Sequence, residues 1–344
     1  MKVLFDITHP AHVHLFRNAI AELESQGHEL KVTSRDKEIT VQLLDAYDID
    51  HQIISKNDRP LAIEWAIREV RLLSVARSFR PDIIVSRFNP AAAHISTVIG
   101  CPYIMFEDTE KENSIITNLT YPLTDVICTP TSFEYELGEN HIQYEGFHEL
   151  AYLHSSWFEP NKDVLKTHDV GPDETYTILR FVGWDAHHDT NENGLSLHAK
   201  RELVSKLSEH GSVYITSEAN LPPDLADYRL PVPPEHIHHL LYYADLFVGD
   251  SQTMTCEAGI LGTPAIRSNS LASADTDHAG YLRELEDEYE LVFSTTDESV
   301  AVKLAEDLIT SSVDSQWDKK RKSLLNKKID VTEFILNIVN KNTL

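Results

Sequence analysis

A chain of 344 residues and 39.1 kDa, 42% hydrophobic, can fill two cores, each of roughly 150–180 residues. Its longest apolar runs, such as DIIVS and LFVG, fall far short of the ~18 residues of a membrane span, and the N-terminus enters a strand pattern at once, so a cytoplasmic protein without a signal peptide is expected. Fifty-five acidic against 30 basic side chains leave a formal charge of −25 spread over both halves, which argues against a nucleic-acid partner and points to a salt-rich, halophilic cytoplasm. Three cysteines, Cys101, Cys128 and Cys256, without CxxC spacing indicate neither a disulfide framework nor a zinc ribbon.

In the first half, strand-like runs KVLFDI, HELKVTSR, HQIIS, PDIIVSR, YIMFED and TDVICTP alternate with stretches of helical periodicity, AHVHLFRNAIAELESQ, KEITVQLLDAY, PLAIEWAIREVRLLSVARSFR and PAAAHISTVIG. A second series follows: TYTILRFV, SVYITSE, DLFVGD, PAIRS and LVFS, with helical patterns around LHAKRELVSKLSEHG, EHIHHLLYYA, TMTCEAGILG and SVAVKLAEDLITSS. This alternation predicts an α/β fold of two Rossmann-like domains, 1–150 and 175–330, with parallel sheets. Residues 151–174, irregular and increasingly polar, are expected to be the linker, and 331–344 a separate C-terminal helix.

Open parallel sheets bind ligands beyond the carboxyl ends of their strands, where loops lead into helix N-termini. The most informative such place is ADLFVGDSQTMTCEAGILGTPAI. A strand ends at Gly249-Asp250, Ser251 precedes a helix opened by Gln252, Thr253, Met254 and Thr255, and Glu257 lies inside that helix. A phosphate there would meet backbone N–H groups, the positive end of the helix dipole and the Ser251 hydroxyl. Glu257 could accept hydrogen bonds from two ribose hydroxyls; the alternative is a capped helix with a surface glutamate.

The segment DSQTMTCEAGILGTP resembles the D-S-G-G-x-x-E-E-A-x-x-L-G-x-P run of non-hydrolysing UDP-GlcNAc 2-epimerases, and the S-G-x-x-x-x-E-x-x-x-x-G-x-P segment of GT-B glycosyltransferases. The resemblance implies that Ser251 and the 252–255 amides hold a diphosphate and Glu257 a ribose, although Gln252-Thr253 replaces Gly-Gly and Cys256 replaces a glutamate. PDIIVSRFNPAAAHISTVIGCPYIMFED and KENSIITNLTYPLTDVICTPTSFEYEL are similar to consecutive first-domain segments of the epimerases. With ILRFVGWDAHHD, the whole chain resembles a largely archaeal family of unknown function, DUF354, within the GT-B superfamily. What this implies is two domains facing across a cleft, with VTEFILNIVN crossing back to the first domain.

The epimerases carry a catalytic aspartate after the strand matching DIIVS, where this chain has SRFNP without a carboxylate. They carry an H-R-R-E-N motif in the loop that here reads GWDAHHDTNEN, where His187 or His188 could stand in but the arginine is missing. Epimerisation removes and returns a proton, so a lost carboxylate favours sugar transfer instead. THPAHVHLF resembles the G-G-T-G-G-H-x-x-P loop of peptidoglycan-type GlcNAc-transferases, with His12 as the general base, His9 shaping the loop and His14 packed in the helix. The H-x-x-H-x-H spacing matches no zinc pattern, and neither a metal nor a cofactor is expected.

Further candidates are Glu107 for catalysis, Arg180 and Asp185 for the nucleotide sugar, and His9, Arg87, Asn89, Asp108 and Trp184 for sugar or acceptor; the acidic cluster Glu107, Asp108 and Glu110 alternatively positions Arg87 or a sugar hydroxyl, or is a solvated edge. DTD at 275–277 resembles a D-x-D metal motif of the other glycosyltransferase fold and reads better as a loop near the sugar or as plain surface. The expected partners are a nucleotide diphosphate sugar, UDP-linked for preference, and a glycan, lipid-linked or small-molecule acceptor, the lipid case implying peripheral membrane association. The alternatives are a nucleotide-sugar 2-epimerase and a non-catalytic nucleotide-sugar binding protein.

Overall fold

A computed structural model describes residues 1–342 apart from 59, 111–113, 172, 183–193, 218–219, 231, 274–278 and 312–313. The chain divides into two compact units, Met1–Phe158 with Lys328–Leu344, and Glu159–Lys327.

The first unit is built on seven strands, β1 (Lys2–Ile7), β2 (Glu29–Asp36), β3 (His51–Lys56), β4 (Ile83–Arg87), β5 (Tyr103–Phe106), β6 (Val126–Pro130) and β7 (His141–Tyr144), in the order β3-β2-β1-β4-β5-β6-β7. Every pairing is parallel. The central strands are apolar on both faces because helices cover both, which is why KVLFDI and IIVSR read as continuous runs rather than alternations. β7, HIQY, carries no such run: it is an edge strand with two exposed residues, and it escapes the sequence pattern for that reason.

The second unit holds β8 (Tyr176–Phe181), β9 (Ser212–Ser217), β10 (Leu246–Gly249), β11 (Ala265–Ser268) and β12 (Val292–Thr295), in the order β12-β11-β10-β8-β9, again all parallel. Gly249 is needed where β10 runs beside β8, since a Cβ there would lie 2.8 Å from the Arg180 carbonyl oxygen. Among the described residues no helix is long and apolar enough to cross a membrane.

The stretch 151–174, expected as a linker, is divided between the two units. Leu150–Leu153 forms a buried helical turn in the first unit, where Asn18 Nδ2 and Thr332 Oγ1 each donate to the Ala151 carbonyl at 2.7 Å. Lys162–Lys166 is a short helix of the second unit with Leu165 buried. The apolar LAYL run is the reason, because leaving it exposed forfeits its burial energy. The C-terminal helix Val331–Lys341 packs within the first unit against the Pro10–Ser25 helix, its Val331, Ile335 and Val339 buried.

Candidate functional site

Strand order reverses its direction of growth between β1 and β4 in the first sheet, and between β8 and β10 in the second. These are the topological switch points, where diverging loops leave a crevice at the strand ends. Most of the residues singled out from sequence sit at one of the two.

At the first switch point the chain leaves β1 through Thr8 and His9 into the Pro10–Ser25 helix. His9 is the N-cap: its backbone is extended, Pro10 follows with the φ a first turn requires, and Nδ1 accepts the Ala11 amide at 3.2 Å. His12, one turn on, is 8% exposed and turns Nδ1 toward the Thr8 hydroxyl at 3.2 Å and the Thr8 amide at 3.4 Å. His14 is buried by stacking on Tyr152, ring centroids 5.1 Å apart. Across the switch, Asn89 caps the Pro90–Ile99 helix, accepting the Ala91 amide at 3.0 Å while Nδ2 donates to Asp6.

Arg87, the last residue of β4, donates to Glu107 at 3.1 Å and to Asp108, and Asp108 meets His148 Nδ1 at 2.8 Å. Glu107 is fully buried and also accepts the amides of Asp108 and Thr109 at 3.1 and 3.3 Å. Buried there, it holds Arg87 in place. Burial alone would raise the Asp108 carboxyl, but Arg87 and His148 outweigh that and hold it well below the usual range.

Burial, with Arg87 and His9 nearby, holds His12 well below the 6.5 of a free imidazole. His9 is lowered to about 4 by burial and by Lys37. The unfolded chain therefore takes up protons near pH 6.5 that the folded unit resists, so stability present above 6.5 is lost as pH falls toward about 4. Urea midpoints taken at about pH 7.5 and about pH 5 are expected to drop less in His12→Gln than in the parent. An equal drop would remove His12 from the titration.

At the second switch point Ser251 caps the Gln252–Leu261 helix, its Oγ accepting the Met254 amide at 3.4 Å. Thr255 Oγ1 donates back to the Ser251 carbonyl at 2.7 Å, and the Gln252 and Thr253 amides belong to the first turn, which needs no intrahelical acceptor for them. Asp250 is buried, and its Oδ1 accepts the Val182 amide at 2.7 Å, locking the ends of β8 and β10 together. Arg180 lies beside Gly249 in that register. Glu257, expected to be ligand-facing or at the surface, is buried and hydrogen-bonded through Oε1 to His238 Nε2 at 3.0 Å. His238 comes from the Ile237–Tyr243 helix, and EHIHHLL, read only as a helical pattern, carried no sign of this pairing. Trp184, Asp185, His187, His188 and the DTD motif at 275–277 lie outside the described residues.

Sequence reasoning also missed the network beneath the first switch point. Asp6, fully buried, accepts from Arg68, from Asn89 and from Thr33 Oγ1, the last at 2.6 Å. Arg68 also donates to Ser55 Oγ at 2.8 Å, and Arg35 makes a two-pronged pair with Glu64, both contacts 2.6 Å. A cavity of about 210 Å³ opens above it, bounded among others by Thr8, Arg35, Glu64, Trp65, Asn89 and Leu119.

The family described as "Protein of unknown function (DUF354)" matches residues 1–342. An uncharacterized protein of Methanocaldococcus jannaschii, MJ0665, is 24% identical over 282 residues, 77% of this chain and 81% of that protein. The structure of the UDP-GlcNAc 2-epimerase of Neisseria meningitidis bound to UDP-GlcNAc superposes with a TM-score of 0.67 at 15% identity, covering 99% of this chain and 100% of that one. Spinosyn rhamnosyltransferase SpnG complexed with spinosyn aglycone does so with a TM-score of 0.65 at 12% identity, covering 99% and 100%; the same enzyme complexed with thymidine diphosphate scores 0.63. Likeness at such identity is a likeness of fold, and it agrees with the two all-parallel sheets. The chain thus belongs to the DUF354 family, and its fold is GT-B, the fold that these epimerases and glycosyltransferases share.

Proposed function

We propose that the protein is a glycosyltransferase that takes a sugar from a nucleotide diphosphate donor, UDP-linked for preference, and passes it to a hydroxylated acceptor. The observation that carries this reading is the Ser251-capped helix opening at the second switch point, with Glu257 one and a half turns inside it. Its first-turn amides and the Ser251 hydroxyl suit the diphosphate, and stabilise it by hydrogen bonds and helix dipole without a divalent metal. Glu257, oriented by the His238 ring through Oε1, is the carboxylate for the ribose hydroxyls. In the reaction the acceptor hydroxyl gives its proton to His12, its oxygen bonds to the anomeric carbon, and the bond to the diphosphate breaks with the electron pair leaving on the phosphate oxygen.

Glu257→Gln keeps an oxygen for His238 and loses the charge offered to a ribose. It is expected to weaken UDP by about 1.5–3 kcal/mol, a ten- to hundredfold rise in Kd by calorimetry. An unchanged Kd overturns the assignment.

The epimerase reading draws on the UDP-GlcNAc-bound neighbour. Against it, Asp6, Glu107 and Asp108, which lie at or next to the ends of β1 and β5, are buried in ion pairs with Arg68 and Arg87. Incubation with UDP-GlcNAc, with and without an acceptor, separates the three cases. A C2 epimer formed without acceptor means epimerase, UDP released only with acceptor means transferase, and tight binding without turnover means a binding protein.

A further inference from the structure

The cavity of the first unit has two unlike walls. One is polar: the Arg35–Glu64 pair lies on it, and His94 is held there by Glu69 at 2.8 Å. Arg68 belongs to the same wall, is buried, and keeps Nε without a hydrogen-bond partner among the described residues. Carboxylate oxygens already paired with a guanidinium retain lone pairs for further donors, so this wall can accept and donate to several hydroxyls at once. The other wall is apolar, with Leu119 at 55% exposure; Trp65, at 38%, lines the cavity from the same helix as Glu64 and Arg68. An indole beside hydrogen-bonding groups suits a ring that is apolar on its face and hydroxylated at its rim. At about 210 Å³ the cavity is below the ~300–1,000 Å³ that encloses a drug-sized ligand, which limits the occupant to one ring-sized group.

The apolar wall does not stop at the cavity. Leu119 belongs to the short helix Ile115–Thr120, and Ile115, four residues earlier on the same face, is 79% exposed. Exposed aliphatic side chains in a row leading out of a polar-floored cavity require a partner that is apolar where it emerges. The net charge of −25 disfavours an anionic head there.

We infer that this cavity binds an uncharged sugar ring carrying an aliphatic chain, the ring against Trp65 and the Arg35–Glu64 pair and the chain along Leu119 and Ile115. Its role as the acceptor site rests on the transfer reading above; the binding itself does not.

The test titrates the full chain with n-octyl β-D-glucopyranoside below its micelle concentration, with methyl β-D-glucopyranoside and with octanol, by calorimetry and ligand-observed NMR. Octyl glucoside is expected to bind at least about tenfold more tightly than either fragment. Trp65→Ala and Leu119→Asp should each abolish that advantage while leaving UDP affinity as in the parent. Octanol binding as tightly as octyl glucoside, methyl glucoside doing so, or octyl glucoside affinity unchanged in both variants overturns the inference. Loss of UDP binding in the parent with octyl glucoside still bound overturns the transfer reading and supports this site.

Discussion

His12→Ala is expected to cut sugar transfer by about 10²- to 10⁴-fold while leaving UDP affinity unchanged. The imidazole is held neutral by burial and by Arg87, so at neutral pH it has a lone pair to offer. Which nitrogen offers it is set by Thr8. Base action through Nε2 calls for the tautomer in which Nδ1 gives up the long Thr8 amide contact of 3.4 Å and donates instead to the Thr8 hydroxyl at 3.2 Å. Glu107 and Asp108 do not compete, being committed to Arg87. His14→Ala, by contrast, empties a buried stacking position against Tyr152 and is expected to lower the melting temperature with turnover per folded molecule retained. Turnover measured with and without acceptor checks both. Near-normal transfer in His12→Ala, with loss in His187→Ala or His188→Ala, would move the base to the WDAHHD loop.

The largest expected loss of stability is at Asp6. Its carboxylate is fully buried and is the anionic partner of a buried arginine. Asp6→Ala strands the Arg68 guanidinium in the core, and breaking a buried pair from one side costs about 3–5 kcal/mol. Of a total stability of ~5–15 kcal/mol that is a large share. The double replacement Asp6→Leu with Arg68→Met removes both charges and is expected to recover much of the loss. Urea midpoints of the two variants measure this directly, and a double variant no more stable than Asp6→Ala would refute the ion-pair account. Thr33 and Asn89, which also donate to Asp6, lose an acceptor in either variant, so recovery stays incomplete.

The predicted elements that proved legible are those whose signal is local. Continuous apolar runs identify β1, β4, β5 and β6 because a parallel strand covered on both faces has no polar side. Cap residues are local too: His9, Asn89 and Ser251 act on amides two or three residues ahead, so each helix start can be read from its own neighbourhood. Placing ligand sites beyond the strand ends needs only the alternation of strands and helices.

What the tertiary structure alone decided is which of those side chains meet. Asp6 and Arg68 are 62 residues apart, Arg87 and Glu107 20, and His238 and Glu257 19, and no spacing rule joins them. They meet because the Leu61–Phe79 helix, which carries Arg68, packs on β3, two strands from β1, because β4 pairs with β5, and because the Ile237–Tyr243 helix packs on the Gln252–Leu261 helix. Strand order is a global property, won by burying whole faces rather than by any short segment, so sequence alone left Glu107 open between catalysis, positioning of Arg87 and a solvated edge, and the fold pairs it with Arg87. LAYL followed the same rule: flanked by polar residues it looked like a linker, and only the helices Pro10–Ser25 and Val331–Lys341 closing over it made it core.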